Sequence, residues 1–238
     1  MCSFLSAIVK KDGEILWDAY TDSHEDLVAT YGLDDSKFRE GFVRIEFNPE
    51  DYKDYDKPDK YILRVDEKLK PDWFVAVEKT VADQLKGIIE RMILRDVKKK
   101  CLLSGCYILT GKTNIDYIKN TRVFFMCGTS KVGVMWETSK VGEMRETSKV
   151  GEMRETSKVG VMRETSEVGE MRGTSKVGVM RGTSEVGVMW ENSKVGEMWG
   201  TSKVGEMWET SKVGEMWETS KVGEMRETSE IVKDNRNK

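Results

Sequence analysis

The chain has 238 residues, and its 39 Lys and Arg against 42 Asp and Glu leave a formal net charge of -3. This balance excludes a globally basic protein that binds nucleic acid or an anionic membrane through net charge alone. The N-terminal sequence MCSFLSAIVKKDGE lacks a basic start, and its apolar stretch is short. We therefore expect neither a signal peptide nor a transmembrane segment.

The four cysteines are Cys2, Cys101, Cys106 and Cys127. Their spacing matches no metal framework, and the last three have no histidine near them in the sequence. Reduced thiols are the expected state, as in a cytoplasmic protein. The sequence therefore predicts no metal site and no cofactor.

Residues 1–98 are predicted to form an α+β domain. Two apolar stretches, Phe4–Val9 and Ile15–Tyr20, flank an Asp-Gly pair and predict a hairpin. A short helix follows to about Tyr31, with Ser23 as its cap and an acidic residue three positions later, as in a capping box.

Further along the same domain, Phe42–Phe47 and Tyr61–Val65 read as strands separated by an acidic, aromatic loop. A long helix is then predicted from Asp72 to about Arg95, because apolar residues recur there at helical spacing. Its apolar face comprises Phe74, Val77, Val81, Leu85, Ile88, Ile89 and Met92.

Residues 99–127 are predicted to be irregular coils that precede a regular array. Val123 and Met126 lie nine residues before Val132 and Met135, the first pair of that array. The stretch from Cys106 also has the apolar character of a strand. These residues are bulkier than the later repeats, as expected of a cap.

Eleven copies of one nonapeptide run from Gly128 to Arg226, most reading Glu-Thr-Ser-Lys-Val-Gly-Glu-Met followed by Arg or Trp. Positions one to nine of the repeat are counted below from the residue that Glu occupies in most copies. A fixed short period indicates that each unit buries its apolar side against its neighbours. Disorder is the rival reading for so polar a unit, but strictly placed Val and Met are typical of a repeated core.

A period of nine excludes a regular helix, because nine residues turn it by about 900° and place successive valines on opposite sides. A parallel β-solenoid with two units per coil accommodates the period. We predict it over residues 128–230, followed by a charged tail at 231–238. Alternation would turn Ser and Val inward and Thr and Lys outward. Gly after Val is expected at the corner, and a bend would return Met to the interior.

The coil geometry resembles the β-roll of calcium-binding nonapeptide proteins, which also uses two nine-residue units per turn. That resemblance concerns geometry alone, because this repeat contains no Asp. We therefore expect no calcium.

The ninth position varies between Arg and Trp and is the candidate binding surface. With two units per coil, alternate copies share a face, so these side chains form two columns. Stacked rings and guanidinium groups within a column would be stabilising. They either knit the coils together or also bind a partner. The candidate partner-binding residues are Trp136, Trp190, Trp199, Trp208, Trp217, Arg145, Arg163 and Arg181.

A protein partner or self-association is the expected use of these columns, with a glycan as an alternative. The array holds 16 Glu against 15 Lys and Arg, so its near-neutral charge disfavours nucleic acid. No membrane partner is expected.

The stretches MCSFLSAIVKKDGEILWD, TDSHEDL, FVRIEF, IIERMILRD and SGCYIL resemble a domain of bacteriophage and gut-bacterial proteins that have no assigned activity. In those proteins the domain precedes tandem repeats of the Ser-x-Val-Gly-Glu-Met type, so the resemblance covers essentially the whole chain. It implies a phage or mobile-element origin, and we expect the cytoplasm of a bacterial host.

Together these patterns predict a non-enzymatic structural or interaction protein. One alternative is a thiol enzyme in which removal of Met1 exposes Cys2 as a nucleophile activated by His24, the only histidine. Another is an inhibitor of a host nucleic-acid enzyme.

Overall fold

The computed structural model describes residues 5–34, 36, 40–51, 53–66 and 69–236. They form two compact units, Met1–Ile93 and Leu94–Lys238. The first is a small α+β domain and the second an all-β parallel solenoid, which confirms the predicted fold class. The division falls a few residues before the boundary expected at residue 98.

The N-terminal unit contains a four-stranded antiparallel sheet. The Asp-Gly turn between the first two strands is closed by a 2.8 Å hydrogen bond from the Gly13 N–H to the Lys10 carbonyl, with Gly13 at φ 86°. The predicted hairpin is therefore confirmed. The strands are β1 (Ser6–Lys10), β2 (Ile15–Leu16), β3 (Phe42–Pro49) and β4 (Tyr61–Val65), and their order in the sheet is β2-β1-β3-β4.

Among the described residues, two α-helices accompany this sheet, and a 3-10 turn spans Pro58–Lys60. Helix α1 (His24–Thr30) is capped by Ser23, whose hydroxyl oxygen accepts from the Asp26 N–H at 3.2 Å. Helix α2 (Asp72–Met92) ends three residues before the predicted Arg95, because those last residues join a solenoid sheet as a strand. Its buried face consists of Phe74, Val81, Leu85, Ile89 and Met92.

Tyr61 links the sheet to alkaline stability. Its hydroxyl donates to the Tyr55 carbonyl at 2.8 Å, and burial raises the pKa of the phenol. Below pH 10, the usual pKa of a phenol, the buried phenol of Tyr61 contributes its full stabilisation. Above pH 10, this phenol ionises in the unfolded chain but stays protonated in the folded one. We expect the free energy of unfolding to fall by up to about 1.4 kcal/mol per pH unit there. Urea titrations between pH 8 and 11 measure this slope, which Tyr61→Phe should remove and exposed Tyr20→Phe should keep.

The second unit consists of two parallel sheets between which the chain alternates, strand by strand. The odd sheet contains β5 (Ile93–Arg95), β7 (Cys106–Thr110), β9 (Arg122–Met126), β11 (Lys140–Met144), β13 (Lys158–Met162), β15 (Lys176–Met180), β17 (Lys194–Met198), β19 (Lys212–Met216) and β21 (Glu230–Asp234). The even sheet contains β6 (Lys98–Leu102), β8 (Asn114–Lys119), β10 (Lys131–Trp136), β12 (Lys149–Met153), β14 (Glu167–Met171), β16 (Glu185–Met189), β18 (Lys203–Met207) and β20 (Lys221–Met225).

Strand register confirms two nonapeptides per coil, in about eight coils in all. Val132 pairs with Val150 and Met135 with Met153, so each residue pairs with its counterpart two repeats further along. From Val132 to Met216 these valines and methionines are at most 1% exposed, and the serines two residues before the valines are 0% exposed. One apolar core therefore runs along the array, with Ser and Val inward as predicted.

The prediction that Gly after Val forms the corner was wrong. These glycines lie inside the strands, so close to the previous coil that a Cβ on Gly151 would lie 2.5 Å from the Gly133 carbonyl oxygen. In strands β10 to β19, Val and Met are both buried, although the two are three residues apart. The corner is instead the first position, where Glu or Gly has a positive φ, as in Glu137 at 54° and Gly173 at 69°.

Residues on either side of the regular array continue its coils. In the irregular region, Leu109, Ile115, Ile118, Val123 and Met126 are fully buried in the same core. The pairing of β7 with β9 shifts register between Tyr107 and Ile108, where the spacing of apolar residues differs from that of the regular repeats. Past the last repeat, β21 pairs with β19, so the start of the predicted charged tail forms a strand.

Candidate partner-binding columns of tryptophan and arginine

The ninth-position side chains leave the array where each strand ends and the corner begins. Their backbone N–H groups donate to a methionine carbonyl one coil earlier, as from Trp190 to Met171 at 2.9 Å. This ladder keeps the ninth positions of alternate repeats in register. The even column comprises Trp136, Arg154, Arg172, Trp190, Trp208 and Arg226, and the odd column comprises Arg145, Arg163, Arg181, Trp199 and Trp217.

In the even column, two tryptophan rings stack on each other and arginine guanidinium groups lie over tryptophan rings. The rings of Trp190 and Trp208 are 5.1 Å apart between centroids and inclined by 15°. Arg154 lies 4.4 Å above the Trp136 ring, and Arg226 lies 4.3 Å from the Trp208 ring. Flat stacking and cation–π contacts of this kind stabilise neighbouring coils.

In the odd column, Trp199 and Trp217 stack at 4.8 Å and are inclined by only 4°. Arg145 lies over the Phe125 ring at 5.6 Å, and the ammonium of Lys233 lies 5.8 Å from the Trp217 ring. Tryptophan therefore stacks on tryptophan in both columns, and the order of residues along the chain places the contacts of arginine with tryptophan in the even column.

Seventh-position glutamates neutralise most of the arginines. Glu143 binds both Arg145 and Arg163 at 2.6 Å, and Glu152 binds Arg154 at 2.7 Å. The hydrogen bond to Glu152 raises the pKa of the Arg154 guanidinium. At two of the tryptophan positions the indole N–H uses the equivalent acceptor, from Trp199 to Glu197 at 2.8 Å and from Trp208 to Glu206 at 2.9 Å. In the even column each arginine therefore has a glutamate two residues earlier, whereas in the odd column Glu143 serves two arginines.

The candidate binding residues differ in how much of their surface is exposed to solvent. All five candidate tryptophans are half-buried, so each keeps part of its surface in solvent. Among the candidate arginines, Arg181 is exposed and Arg163 half-buried, whereas Arg145 is only 9% exposed and offers little contact area. Partner binding at these exposed surfaces stays a prediction.

The corner glutamates form a second feature that the sequence reasoning missed. The Glu146 carboxylate accepts from the Gly128 N–H at 2.6 Å, Glu164 accepts from the Glu146 N–H at 2.8 Å, and Glu218 accepts from the Gly200 N–H at 2.7 Å. Each carboxylate reaches back one coil and binds the corner amide there. The only signal in the sequence was the choice between Glu and Gly at the first position, a pattern that is also typical of solvated surface.

His24, the other residue with proposed chemistry, makes structural contacts. It is 5% exposed, with Nε2 at 2.9 Å from the Ile45 carbonyl oxygen and Nδ1 at 3.0 Å from the Asp66 carboxylate. Both ring nitrogens therefore contact groups within the N-terminal unit. Its proposed catalytic partner, Cys2, lies outside the described residues.

Within the described ranges, no cluster of His, Cys, Asp and Glu is arranged to hold a metal ion. The same ranges contain no helix that is both long and apolar enough to cross a bilayer. Cys101, Cys106 and Cys127 are unbridged.

Searches against protein-family models, curated proteins and solved structures find no match to this chain. The bacteriophage and gut-bacterial resemblance consequently remains a prediction. Function has to be inferred from the columns and corners of the solenoid.

The Trp199–Trp217 stack should be measurable as a coupling energy. We expect Trp199→Ala and Trp217→Ala to couple by about 0.5–1.5 kcal/mol in the free energy of unfolding, because stacked rings contribute that much beyond area burial. Denaturant titrations of both single variants and the double variant give this value. Trp190 lies in the other column, so Trp190→Ala combined with Trp217→Ala should be additive; equal coupling in both pairs would contradict a column-specific stack.

Proposed function

We propose that this chain is a non-enzymatic interaction protein that presents its Trp/Arg columns to a protein partner. One observation carries the proposal: half-buried tryptophan rings recur in register along both columns, with Trp190 stacked on Trp208 and Trp199 stacked on Trp217. Trp and Arg are the residues that most often dominate protein interfaces. Rigid stacking also reduces the conformational entropy that such side chains lose on binding.

The repetition itself favours binding over catalysis. An active site needs unlike residues that converge at one place, whereas near-identical units supply many copies of one contact. Several weak contacts along one rigid array combine into a stronger one when the partner spans them. A phage or mobile-element origin and a cytoplasmic location in a bacterial host belong to the same proposal and rest on the resemblance.

Two deletions of equal length test whether the tryptophan or the arginine positions of the columns bind the partner. Removing residues 182–217 eliminates Trp190, Trp199, Trp208 and Trp217, and removing 146–181 eliminates Arg154, Arg163, Arg172 and Arg181. Each deletion takes out four whole units, or two coils, so the remaining strands keep their sheets. Circular dichroism of both variants checks that the solenoid is retained.

Affinity capture from bacterial lysate, quantified by mass spectrometry, gives the result. A partner of the tryptophan rungs should be lost from the 182–217 deletion and kept by the 146–181 deletion. Light scattering on the purified proteins applies the same comparison to self-association. A partner captured equally by the full chain and by both folded deletions would overturn the proposal, because neither set of rungs would then be needed.

A further inference from the structure

Two successive corners beside the odd sheet, Glu164 and Gly182, face a glycine one coil further along, where other corners face a glutamate. The Gly200 N–H binds the Glu218 carboxylate one coil further along. The Gly182 N–H faces Gly200 in the same way, but glycine has no side chain to offer. In the part of the chain that the structure describes, the Gly182 N–H donates no hydrogen bond.

A pocket occupies the place where a glutamate at position 200 would lie. Its volume is about 300 Å³, and it is lined by Arg181, Gly182, Trp199, Gly200 and Glu218. The Glu218 carboxylate is already bound to the Gly200 N–H, so it does not occupy the Gly182 amide. The pocket is therefore open to a carboxylate from another source.

Arg181 adds an uncompensated positive charge to this pocket. The other ninth-position arginines of the regular array each pair with a seventh-position glutamate, as Arg163 does with Glu143. Beside Arg181 that position is Val179, and Val161 occupies it one coil earlier. Among the described residues, the exposed Arg181 guanidinium has neither an ion pair nor a stacked ring.

Within the regular array, the odd sheet carries a row of five lysines at the fourth position, and the last of them, Lys212, is paired with Glu230. Register places Lys140, Lys158, Lys176, Lys194 and Lys212 directly beside one another. In the even sheet, the corresponding row is interrupted by Glu167 and Glu185. At the usual rise per residue of a strand, Lys176 and Arg181 are separated by about 16 Å.

From these contacts we propose that the pocket at Gly182 binds a glutamate carboxylate from an acidic, extended segment of a partner protein. The Gly182 N–H and the Arg181 guanidinium bind the carboxylate oxygens, and Trp199 packs against the methylene groups. Further acidic residues of the segment lie along the lysine row. The equivalent amides of Gly128 and Glu146 each bind a glutamate carboxylate, so a glutamate fits a corner amide of this kind. This inference rests on the proposed interaction function and specifies that the partner carries an acidic segment.

A second glycine corner provides an internal comparison. Gly173 leaves a pocket of about 270 Å³ beside Arg154 and Arg172. Those two arginines already bind Glu152 and Glu170. Because their charge is compensated, this pocket should attract a carboxylate more weakly than the one beside Arg181.

Nuclear magnetic resonance of the ¹⁵N-labelled full chain tests the site, with end-capped hexaglutamate as the probe and hexaglutamine as its neutral control. We expect hexaglutamate to shift the Gly182 amide resonance and hexaglutamine to leave it unchanged. Gly200→Glu supplies an internal carboxylate and should weaken binding about tenfold, as should Arg181→Gln. Gly173→Glu is the matched control and should bind like the original chain.

Glutamate already occupies eight corners with φ of 54° to 57°, so Gly200→Glu is compatible with the fold. Unchanged binding by both Gly200→Glu and Arg181→Gln would overturn the site. Shifts confined to the lysine row would also overturn it, since charge alone would then hold the probe. A parallel titration with oligogalacturonate, an acidic glycan, tests whether the carboxylate comes from a peptide. Tighter binding of oligogalacturonate than of hexaglutamate would overturn the peptide assignment. Lysate capture can fail independently of this titration, so the two proposals are tested separately.

Discussion

Replacing Gly178 with alanine should destabilise the solenoid by about 3 kcal/mol or more. An added Cβ would lie 2.5 Å from the Gly160 carbonyl oxygen, and that atom belongs to the backbone of the adjacent coil. Propensity alone predicts the opposite, because alanine costs less than glycine inside a strand by about 0.5–1 kcal/mol. A loss of stability on Gly178→Ala would therefore indicate close approach of the neighbouring backbone, whereas a gain would indicate that local strand propensity decides.

Denaturant titration followed by circular dichroism measures the loss, and hydrogen exchange locates it. In a repeat array each coil contacts its neighbours, so fast exchange should centre on β13, β15 and β17. Gly173→Glu is the control, because the corner accepts glutamate at eight other positions. A Gly178→Ala protein as stable as the original would refute the close approach.

Replacing Met162 with alanine should lower the free energy of unfolding by about 2–5 kcal/mol, the usual range for truncating a buried methionine. Met162 is 0% exposed and packs in the continuous core of the array. Truncation leaves a cavity between two rigid sheets whose hydrogen-bonded ladders resist collapse. The same denaturant titration measures the effect.

Met225 occupies the same repeat position but is 42% exposed. Met225→Ala therefore serves as the matched control, and we expect it to cost much less than Met162→Ala. Equal losses at the two sites would show that local sequence, and not burial in the array, sets the contribution of this methionine.

The nonapeptide period was enough to predict the solenoid. A helix is out of phase with nine residues, and two units fill one flattened coil, so Val132 had to pair with Val150. The same reasoning placed the Trp and Arg side chains in two columns, one for each set of alternate repeats. The stacks of Trp190 on Trp208 and of Trp199 on Trp217 follow from that alternation.

The corner was predicted incorrectly because glycine's conformational freedom was the only local signal considered. Glutamate at positive φ carries a local cost of roughly 1–2 kcal/mol, so single-residue preference argues against it. Its carboxylate gains a hydrogen bond to the corner amide one coil earlier, as Glu164 does with Glu146. That partner is two repeats away in sequence and becomes adjacent only after the coil has closed.

The sequence by itself therefore determined the two-unit coil, the buried Ser, Val and Met, and the order of residues in each column, because each follows from a fixed period. Only the tertiary structure decided which glycine lies against a neighbouring backbone, which glutamate reaches a corner amide, and which arginine is left without a carboxylate. The physical reason is that these contacts join adjacent coils, where a single glutamate-to-glycine or glutamate-to-valine change opens a pocket or leaves a charge uncompensated.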